Sequence, residues 1–590
     1  MELKKASPFI AVKWENEQPI VKFDNEWYHF EKLDNFSKKE ILDFCKMEYD
    51  DNWQKRFSEY LVEVLNGLGY QPNVKVNLKL SKNGISKTRI GTFTFENRQL
   101  SLHYNKAVMA SKFPQKLSKA EALADLSEFK EILKIRSSYA QLSTFDYKSA
   151  IEELKASILS KKSEIDINEF TNDLSKIMAE IGDRHSSVKN EALNILKNES
   201  YNLKLPFGVA TVKGKMVATK QNVKDENYTY FYDSHPDIKS INGIAVETLL
   251  NSYNYKNKKA PEQVKISRGS SVIQNYGALL FKNNIQCPDS VKVVFTDGIT
   301  EKTETLQLTT GKKGYSSKLL QEHYNLREKV GNGNFDGLSK TLESNIGYIN
   351  IPQMYQYDDV EGLEDFIENT LKSFADTKAL IIDIRNNPGG TRDLLKTFAH
   401  YIVQPEQSPW IANVAYLRTD STILGDEASM SGRYLYSYNS DKLTDNDRNA
   451  IDQFNSNFEL QKTFDTSKFS APFYMVLHNG KNLYTQPIYI LVNENSFSAA
   501  TVFTSAFKSL PNVKIIGETT DGSSGNSRKL HLKNSNIRVK VSTMLSFQKN
   551  GKTLDGNGTI PDIVISADET QVLKGIDNQL SELINIINRR

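Results

Sequence analysis

The chain is 590 residues long, with 39% hydrophobic and 25% charged residues. A single hydrophobic core stops growing well below this length, so we expect roughly three or four domains. Lysine and arginine number 75 against 72 aspartates and glutamates, which leaves a net charge of only +3. This balance argues against nucleic acid as a partner, and no apolar run of about eighteen residues is present to span a membrane.

The residue types that bind metals show no metal-binding spacing. The eight histidines form no HExxH pattern, and Cys45 and Cys287 lie far apart in the sequence. Zinc sites are recognised by closely spaced ligands of these types. We therefore predict no metal and no other cofactor, and we interpret both cysteines as buried free thiols.

The first 108 residues have the pattern of a small α+β domain. Ile20–Phe23 and Val74–Leu78 alternate in polarity as strands do. Between them, Lys39–Leu68 has apolar residues at helical spacing, which predicts helix.

Residues 109–204 are predicted to be helical. The clearest helix runs from about Asp166 to Ile181, where a capping-box-like start precedes an apolar face and Gly182 provides a stop. Residues 205–312 have the pattern of short strands and turns, which predicts a small β-rich domain.

Residues 313–590 carry the strongest pattern, an alternation of buried strands and helices from about 346 to 565. Strands that are apolar throughout, alternating with helices, predict an α/β core with helices on both faces. The long insertion from about 404 to 486 interrupts this alternation. The fold class predicted for the whole chain is therefore α/β and multidomain.

Two turns in this region have residues suited to catalysis. Ser498 ends a turn between a buried strand and a helix, where unpaired N–H groups stabilise a developing oxyanion. Gly389 and Gly390 lie in a second strand-to-helix turn, where glycines let the backbone approach a ligand. Each turn alone is also explained by ordinary structure, because serine is a common helix N-cap and glycine a common turn residue.

Four segments together resemble motifs of the carboxyl-terminal-processing, or tail-specific, serine peptidases. Residues 382–390 resemble the family's D-x-R-x-N-x-G-G segment, and 491–500 resemble its nucleophile segment. Residues 516–522 resemble its G-E-x-T-x-G turn, and 555–562 its closing E-G-x-G-x-x-P-D segment. The resemblance implies a crotonase-like core, a spiral of β–β–α units, that hydrolyses peptide bonds without a cofactor.

The resemblance also implies roles for individual residues. Ser498, the second serine of S-x-S, is the implied nucleophile, with Ser496 as the alternative. The implied oxyanion hole combines the N–H of Ala499 with that of Gly389 or Gly390. The substrate would be a peptide or protein, attacked to form an acyl-enzyme that water releases.

The general base is where the sequence departs from the bacterial tail-specific enzymes. Their lysine has no counterpart, since the corresponding position is Ser523. The tricorn branch of the family has a histidine in its N-terminal helical region, and related sequences read G-D-x-H there. Residues 182–185 match that pattern, so the resemblance implies His185 as the base, a role suited to a pKa near neutrality.

An acidic residue completes the implied catalytic group. The tricorn branch has a glutamate in its closing segment, and Asp555 occupies that position. Asp555 would orient and charge-stabilise His185, as the acid of a triad does. Asp183 is an alternative partner, although a turn residue at a helix end also explains it.

Residues 205–312 lie where the family carries a PDZ-like domain, and 237–243 resemble the PDZ I-x-x-I-N-G turn. Such a domain captures an extended peptide as an added strand.

Two alternatives remain open. One is a non-catalytic protein that binds peptides or small ligands, as the similar retinoid-binding proteins of the eye do, and the other is a crotonase-like acyl-transfer enzyme acting on thioesters. The resemblance implies a periplasmic or secreted location with a removed leader, and the cytoplasm is the alternative.

Overall fold

The computed structural model describes residues 5–49, 53–111, 113–194, 200–222, 227–310, 314–419, 426–523 and 525–589. The chain forms two compact units, one of Met1–Pro114 with Glu191–Lys197 and the other of Gln115–Asn190 with Asn198–Arg590. Within the described ranges, no helix has the length and apolar character needed to cross a membrane. The finer division predicted from the sequence stays a prediction.

The first unit contains an antiparallel sheet with strand order β1-β2-β3-β5-β6, and β4 pairs with β3. Its strands are β1 (Ala11–Glu15), β2 (Gln18–Phe23), β3 (Glu26–Leu33), β4 (Phe36–Ser37), β5 (Lys75–Lys82) and β6 (Ile85–Thr92). Its helices are α1 (Lys38–Tyr49), α2 (Trp53–Glu59), α3 (Leu61–Gly67) and α4 (Phe95–Ser111). The core is largely aromatic and aliphatic, and the rings of Phe30 and Phe57 meet edge to face at 5.4 Å. The strands and helices predicted for this segment are confirmed.

The second unit begins with helices that lead to the site. They are α5 (Lys119–Arg136), α6 (Tyr147–Ser160) and α7 (Ile167–Glu180), with the short strands β7 (Lys116–Leu117), β8 (Ile165–Asp166) and β9 (Ser187–Lys189). Asp166 caps α7 by accepting the N–H groups of Asn168 and Glu169. Gly182 follows the helix at φ +89°, so the predicted helix and its stop are confirmed.

An antiparallel sheet of order β10-β11-β13-β15-β16 follows, with β12 on β11 and β14 on β13. Its strands are β10 (Gly208–Val212), β11 (Lys215–Asn222), β12 (Asn227–Tyr230), β13 (Asp237–Ile241), β14 (Ile244–Ala245), β15 (Ser290–Thr296) and β16 (Glu301–Gln307). The same segment contains α8 (Val246–Thr248), α9 (Glu262–Gln274) and α10 (Tyr276–Lys282). The sequence predicted only strands here. Helix α9 is rich in serine and has few apolar residues, so tertiary packing, in which Val264 and Ile273 are buried, decides its conformation.

The central sheet has the order β17-β18-β19-β23-β24-β28, antiparallel only between β17 and β18. Its strands are β17 (Ser339–Leu342), β18 (Ile346–Asn350), β19 (Ala379–Asp383), β23 (Ile488–Val492), β24 (Val513–Gly517) and β28 (Ile563–Val564). The helices of this region are α11 (Lys318–Gly331), α12 (Leu363–Ser373), α13 (Asp393–Ile402), α16 (Ala499–Phe507) and α17 (Asn578–Asn588).

Both faces of the central sheet are covered. In β19, Leu380 and Ile382 join the core that includes α12, α13 and α16. Ala379 and Ile381 join a separate cluster with Leu583 of α17. Alternate residues of one strand thus enter two cores, which explains why the strands are apolar throughout and confirms the predicted α/β layering.

The insertion contributes a second sheet. Its strands β20 (Trp410–Leu417), β21 (Tyr436–Ser437) and β22 (Phe473–Leu477) pair in the order β21-β22-β20-β27, with β27 at Met544–Phe547. Its helices are α14 (Asp426–Ser431) and α15 (Asp445–Asn455). A three-stranded sheet joins β25 (Ser527–His531), β26 (Arg538–Ser542) and β9, which brings the segment after His185 beside the core.

Single turns of 3₁₀ or π helix complete the fold at Tyr139–Gln141, Ala192–Asn194, Ser200–Asn202, Leu249–Tyr253, Tyr255–Asn257, Tyr357–Asp359, Pro405–Gln407, Thr466–Lys468 and Thr570–Lys574.

Candidate active site

Ser498 lies at the sharp turn between β23 and α16. It is the N-cap of α16 with φ 57° and ψ −121°, a conformation that side-chain-bearing residues rarely adopt. Backbone strain of this kind is concentrated at functional sites and marks the elbow that presents a nucleophilic serine. Ser496 is fully buried, and its hydroxyl donates to the carbonyl of Ile384 at 2.9 Å and accepts the N–H of Asn493. Ser496 therefore holds the turn, and Ser498 is the serine available for chemistry.

His185 reaches Ser498 from a segment 313 residues away in the sequence, and its Nε2 is 3.4 Å from Ser498 Oγ. The imidazole stacks on Phe497, with ring centroids 5.2 Å apart and planes inclined by 24°. Strand β9 begins two residues later and pairs with β26. The sheet and the aromatic ring together fix the histidine against the nucleophile, at a separation that suits general-base catalysis in an unliganded site.

The second ring nitrogen of His185 contacts Ser523, with Nδ1 2.8 Å from Ser523 Oγ. When Nδ1 carries the proton and donates it to Ser523, Nε2 has a free lone pair for the Ser498 hydroxyl. Ser523 is fully buried, so this contact is shielded from solvent. Ser523 therefore fixes the orientation of the imidazole ring, and its hydroxyl can pair with either state of Nδ1.

Two carboxylates lie close to the imidazole. Oxygen atoms of Asp183 and Asp555 and a ring nitrogen of His185 lie within 4.8 Å of one another. Tyr139 donates its hydroxyl to Asp555 Oδ2 at 2.7 Å, and both side chains are buried. Asp183 accepts the backbone N–H of His185 at 2.9 Å and the hydroxyl of Ser186, so it also shapes the loop. Both acids therefore lie beside the imidazole, and the charge of Asp183 raises its pKa.

Burial dominates the proton affinity of His185. The pKa of His185 is lowered from 6.5 to about 4, chiefly because the buried imidazolium loses hydration. The charges of Lys540 and Arg433 act in the same direction, and those of Asp183 and Asp521 oppose it. The imidazole is therefore neutral at physiological pH and able to accept a proton.

The glycine turn packs directly against the nucleophile. A Cβ added to Gly389 would lie 2.6 Å from Ser498 Cβ and 2.8 Å from the N atom of Ala499. The N–H of Gly389 donates to the side-chain oxygen of Asn387 at 2.8 Å, which engages it within the turn. Gly390 and Ala499 are thus the better candidate donors to an oxyanion, and Ala499 provides its N–H as the first residue of α16.

A buried ion cluster joins the histidine loop to the segment that carries Ser523. The guanidinium of Arg184 binds both carboxylate oxygens of Asp521, at 3.0 and 2.9 Å, and the two side chains are 6% and 0% exposed. Arg268 of α9 also contacts Asp521 at 2.7 Å and lies over the ring of Phe497 at 5.5 Å. Arg184 is next to His185 in the chain, and Asp521 is two residues before Ser523. Their bidentate pair therefore helps to set the distance between His185 and Ser523.

A cavity of about 1000 Å³ opens beside residues 493–495 of the turn that leads to Ser498. Helix α9 and strand β10 line one side of it, and the central core lines the other. Its walls include Val209, Ser267, Arg268, Asn386, Glu494 and Asn495. Ser267 donates its hydroxyl to Glu494 at 2.6 Å, which ties α9 to the turn that carries Ser498. The space has the volume of a ligand cleft, and its lining residues do not include Ser498 or His185.

The chain is similar to known peptidases in sequence and in fold. Residues 345–565 match the model of peptidase family S41. A probable CtpA-like serine protease of Staphylococcus aureus (strain N315) is 26% identical over 280 residues, which cover 47% of this chain and 43% of that protein. The chain therefore spans less than half the length of this relative.

Among solved structures, mature CPAF aligns with a TM-score of 0.51 and 16% identity, covering 80% of this chain and 98% of that one. The photosystem II D1 C-terminal processing protease aligns with a TM-score of 0.34 and 13% identity, over 76% of this chain and 93% of that one. The chain contains a peptidase family S41 domain, as its motifs predicted.

The sequence named most of the side chains that meet at this site. Ser498, His185 and Asp555 lie in one cluster, with Gly389, Gly390 and Ala499 beside it. The sequence analysis did not identify Ser523 as the partner of the imidazole. The presence of serine where the similar enzymes have lysine could have indicated it. Tyr139 and the Arg184–Asp521 pair had no such signal, because long-range contacts place them.

Replacing Gly389 by alanine is expected to remove at least about 99% of activity, the scale of losing an oxyanion donor. The new methyl group would collide with Ser498 and with the N atom of Ala499. Reactivity with a fluorophosphonate probe measures the effect. Gly298→Ala is the matched control, because Gly298 also has a positive φ of 95° but open space around its Cβ. Equal reactivity of the two variants would contradict this account of the turn.

Tyr139→Phe is expected to lower both stability and turnover, because it removes the hydroxyl that donates to the buried Asp555. Loss of one such hydrogen bond costs about 1–3 kcal/mol of unfolding free energy. Thermal denaturation and kcat are the measurements, with Tyr147→Phe in the same hydrophobic cluster as the control. A Tyr139→Phe protein with the kcat of the unaltered protein would show that Asp555 does not depend on this contact.

Proposed function

We propose that this protein is a serine peptidase that hydrolyses peptide bonds, as an endopeptidase or a carboxyl-terminal-processing enzyme, through an acyl-enzyme at Ser498. The observation that carries the proposal is the 3.4 Å approach of His185 Nε2 to Ser498 Oγ from opposite parts of the chain. The strained elbow at Ser498 and the Ser523 contact on Nδ1 add the features that a nucleophile and its base require.

The reaction follows from these positions. Ser498 Oγ attacks the carbonyl carbon while its proton moves to His185 Nε2, and the resulting oxyanion lies near the N–H groups of Gly390 and Ala499. The protonated imidazole, stabilised by the nearby carboxylates, donates its proton to the leaving amine as the C–N bond breaks. A water molecule then gives one proton to His185 and attacks the acyl carbon. The bond from that carbon to Ser498 Oγ breaks, His185 returns the proton to Oγ, and the carboxylic acid product leaves.

The peptide substrate is supported by the surroundings of the site. The cavity beside the nucleophile turn is bordered by β10, an edge strand of its sheet, and by α9. Extended peptides bind by adding to such edges, which is the mode of PDZ-like domains. A PDZ-like role for 205–312 and a crotonase-like arrangement of the core are parts of this proposal. A periplasmic or secreted location is a further proposal that rests on resemblance alone.

Labelling with a fluorophosphonate tests the assignment of nucleophile and base. We expect the unaltered protein to react, Ser498→Ala to lose all reaction, and His185→Ala to react about 10²–10⁴-fold more slowly, the usual contribution of a general base. His235→Ala, at a histidine in the seven-stranded sheet region, is the matched control.

Ser496→Ala decides between the two serines of the turn. Reaction retained in Ser496→Ala and lost in Ser498→Ala supports the assignment, and the reverse would overturn it. A natively folded protein that does not react at all would favour the alternative, a ligand-binding protein on the same fold.

The lowered pKa of His185 predicts an unusual pH dependence. Since the neutral imidazole is the active form, kcat/KM should fall only at pH values well below 6.5, towards about 4. Lys540→Met removes a charge that opposes protonation, so its acid limb should move to higher pH. Lys481→Met, at an exposed lysine of the insertion, is the control. An acid limb unchanged in Lys540→Met would be inconsistent with this electrostatic account.

A further inference from the structure

The cavity of about 1000 Å³ extends from residues 493–495 to a second group of polar side chains. Asn350 and Asp383, both in its lining, are the last residues of β18 and β19 and pair with each other in register. His323 of α11 also lines this part of the cavity, and the charge of Asp383 acts on its imidazole. Ligands of parallel sheets bind beyond the carboxyl ends of the strands, which is where this group of side chains lies.

His323 has a ring nitrogen that is buried without a hydrogen-bond partner. The residue is 6% exposed, and among the described residues its Nε2 has neither a donor nor an acceptor within reach. The pKa of this imidazole is lowered to about 4, chiefly by burial, so the ring is neutral at physiological pH. The backbone of Asn386 acts to raise that pKa, as a carbonyl oxygen does when a ring N–H faces it. The remaining nitrogen, Nε2, therefore offers a lone pair to the cavity.

Asn350 provides a second acceptor of the same kind. Its Nδ2 donates to the hydroxyl oxygen of Tyr348 at 3.4 Å, and that hydroxyl donates to Asp383 Oδ2 at 2.9 Å. Because the Tyr348 hydroxyl uses its hydrogen on Asp383, its oxygen can only accept from Asn350, which assigns the amide nitrogen to this contact. Asn350 Oδ1 is buried and, within the described ranges, has no hydrogen-bond partner. Unsatisfied buried acceptors are rare in folded proteins, and here two of them border one cavity.

The charges next to these acceptors favour a cation. Arg385 is bound by two carboxylates, Asp383 at 2.7 Å and Asp577 at 2.6 Å, so this ion cluster keeps one negative charge. Lys340 also lines the cavity, but it is exposed, and its Nζ lies over the ring of Tyr348 at 5.3 Å. The remaining lysines of the lining flank β10 on the other side of the cavity. A ligand with a positive charge and several hydrogen-bond donors would satisfy the acceptors and the charge together.

We propose that this end of the cavity binds a primary ammonium group, which donates hydrogen bonds to His323 Nε2 and Asn350 Oδ1 beside the ion cluster of Arg385. An ammonium combines three N–H donors with one positive charge in a compact group. It has two sources with the same chemistry, the free N-terminus of a peptide and the side chain of a lysine. The site uses neither Ser498 nor His185, so it goes beyond the proposed peptidase function and does not depend on it.

Calorimetric titration of the Ser498→Ala protein with matched peptides tests the site, because a protein without the nucleophile leaves the peptides intact. The probes are amidated hexapeptides of alanine with lysine or norleucine at the third position, each with a free or an acetylated N-terminus. We expect the peptide that carries the required ammonium to bind at least about tenfold more tightly, the scale of charge-assisted hydrogen bonds. Loss of this advantage on acetylation identifies the N-terminus as the source, and loss on changing lysine to norleucine identifies the side chain.

His323→Leu, made in the same Ser498→Ala protein, should reduce the affinity for the ammonium-bearing peptide to that for its neutral counterpart. The midpoint of thermal unfolding without peptide should stay the same or rise, because the change removes a buried acceptor that nothing satisfies. A histidine with a purely structural role would instead lower that midpoint. His400→Leu, at a partly buried histidine of α13 outside the cavity lining, is the matched control and should leave binding unchanged.

Lys340→Glu provides a second variant at an exposed position, which serves if His323→Leu does not fold. It replaces a like charge near the site by an opposite one, so the ammonium-bearing peptide should bind several-fold more tightly.

Three results would overturn the proposal: no binding of any peptide, equal affinities for charged and neutral peptides, or an ammonium preference that is the same in His323→Leu and Lys340→Glu as in the parent protein. Buried water would then satisfy the two acceptors. None of these results bears on the peptidase function, which depends on the reaction of the unaltered protein with a fluorophosphonate.

Discussion

The contact between His185 and Ser498 is the constraint on which the site depends, because the two residues come from segments 313 positions apart. Three interactions hold the histidine loop in place. Strand β9 pairs with β26, the hydroxyl of Ser186 accepts the N–H of Ser542 at 2.9 Å, and Arg184 forms its buried pair with Asp521. Each begins within two residues of His185, so this histidine is positioned by strand pairing, a hydrogen bond and an ion pair.

The nucleophile is held by a different means. The two strand-to-helix turns are joined by amide side chains: Asn493 Oδ1 accepts the N–H of Asn386 at 2.8 Å, and Asn493 Nδ2 donates to Asn386 Oδ1 at 2.9 Å. Asn387 donates to the carbonyl of Ile351, just after β18. Such buried, satisfied amides stabilise irregular backbone that has no regular ladder. They provide the support that lets Ser498 persist at a positive φ, with Gly389 fitting into the space behind it.

A buried ion cluster lies beside His185. Asp521 neutralises cations from the histidine loop and from α9, and this cluster is chiefly structural. The burial that lowers the pKa of His185 also strengthens the charge interactions around it, because the local dielectric constant is low.

The sequence by itself determined the layered α/β core and the helix α7, and it singled out Ser498 and His185, which the structure brings within 3.4 Å of each other. Local periodicity fixes which segments become strands and helices, and short motifs mark the turns between them. It also placed Asp555 near the histidine, through a motif at the far end of the core.

Tertiary structure decided the contacts that complete the site. Ser523 faces Nδ1, Tyr139 donates to Asp555 and Arg184 binds Asp521. Helix α9 likewise forms where the local sequence predicted strands. These outcomes depend on which distant segments pack together. The hydrophobic pattern of a segment specifies which face is buried, but it does not specify which polar group of another segment contacts that face.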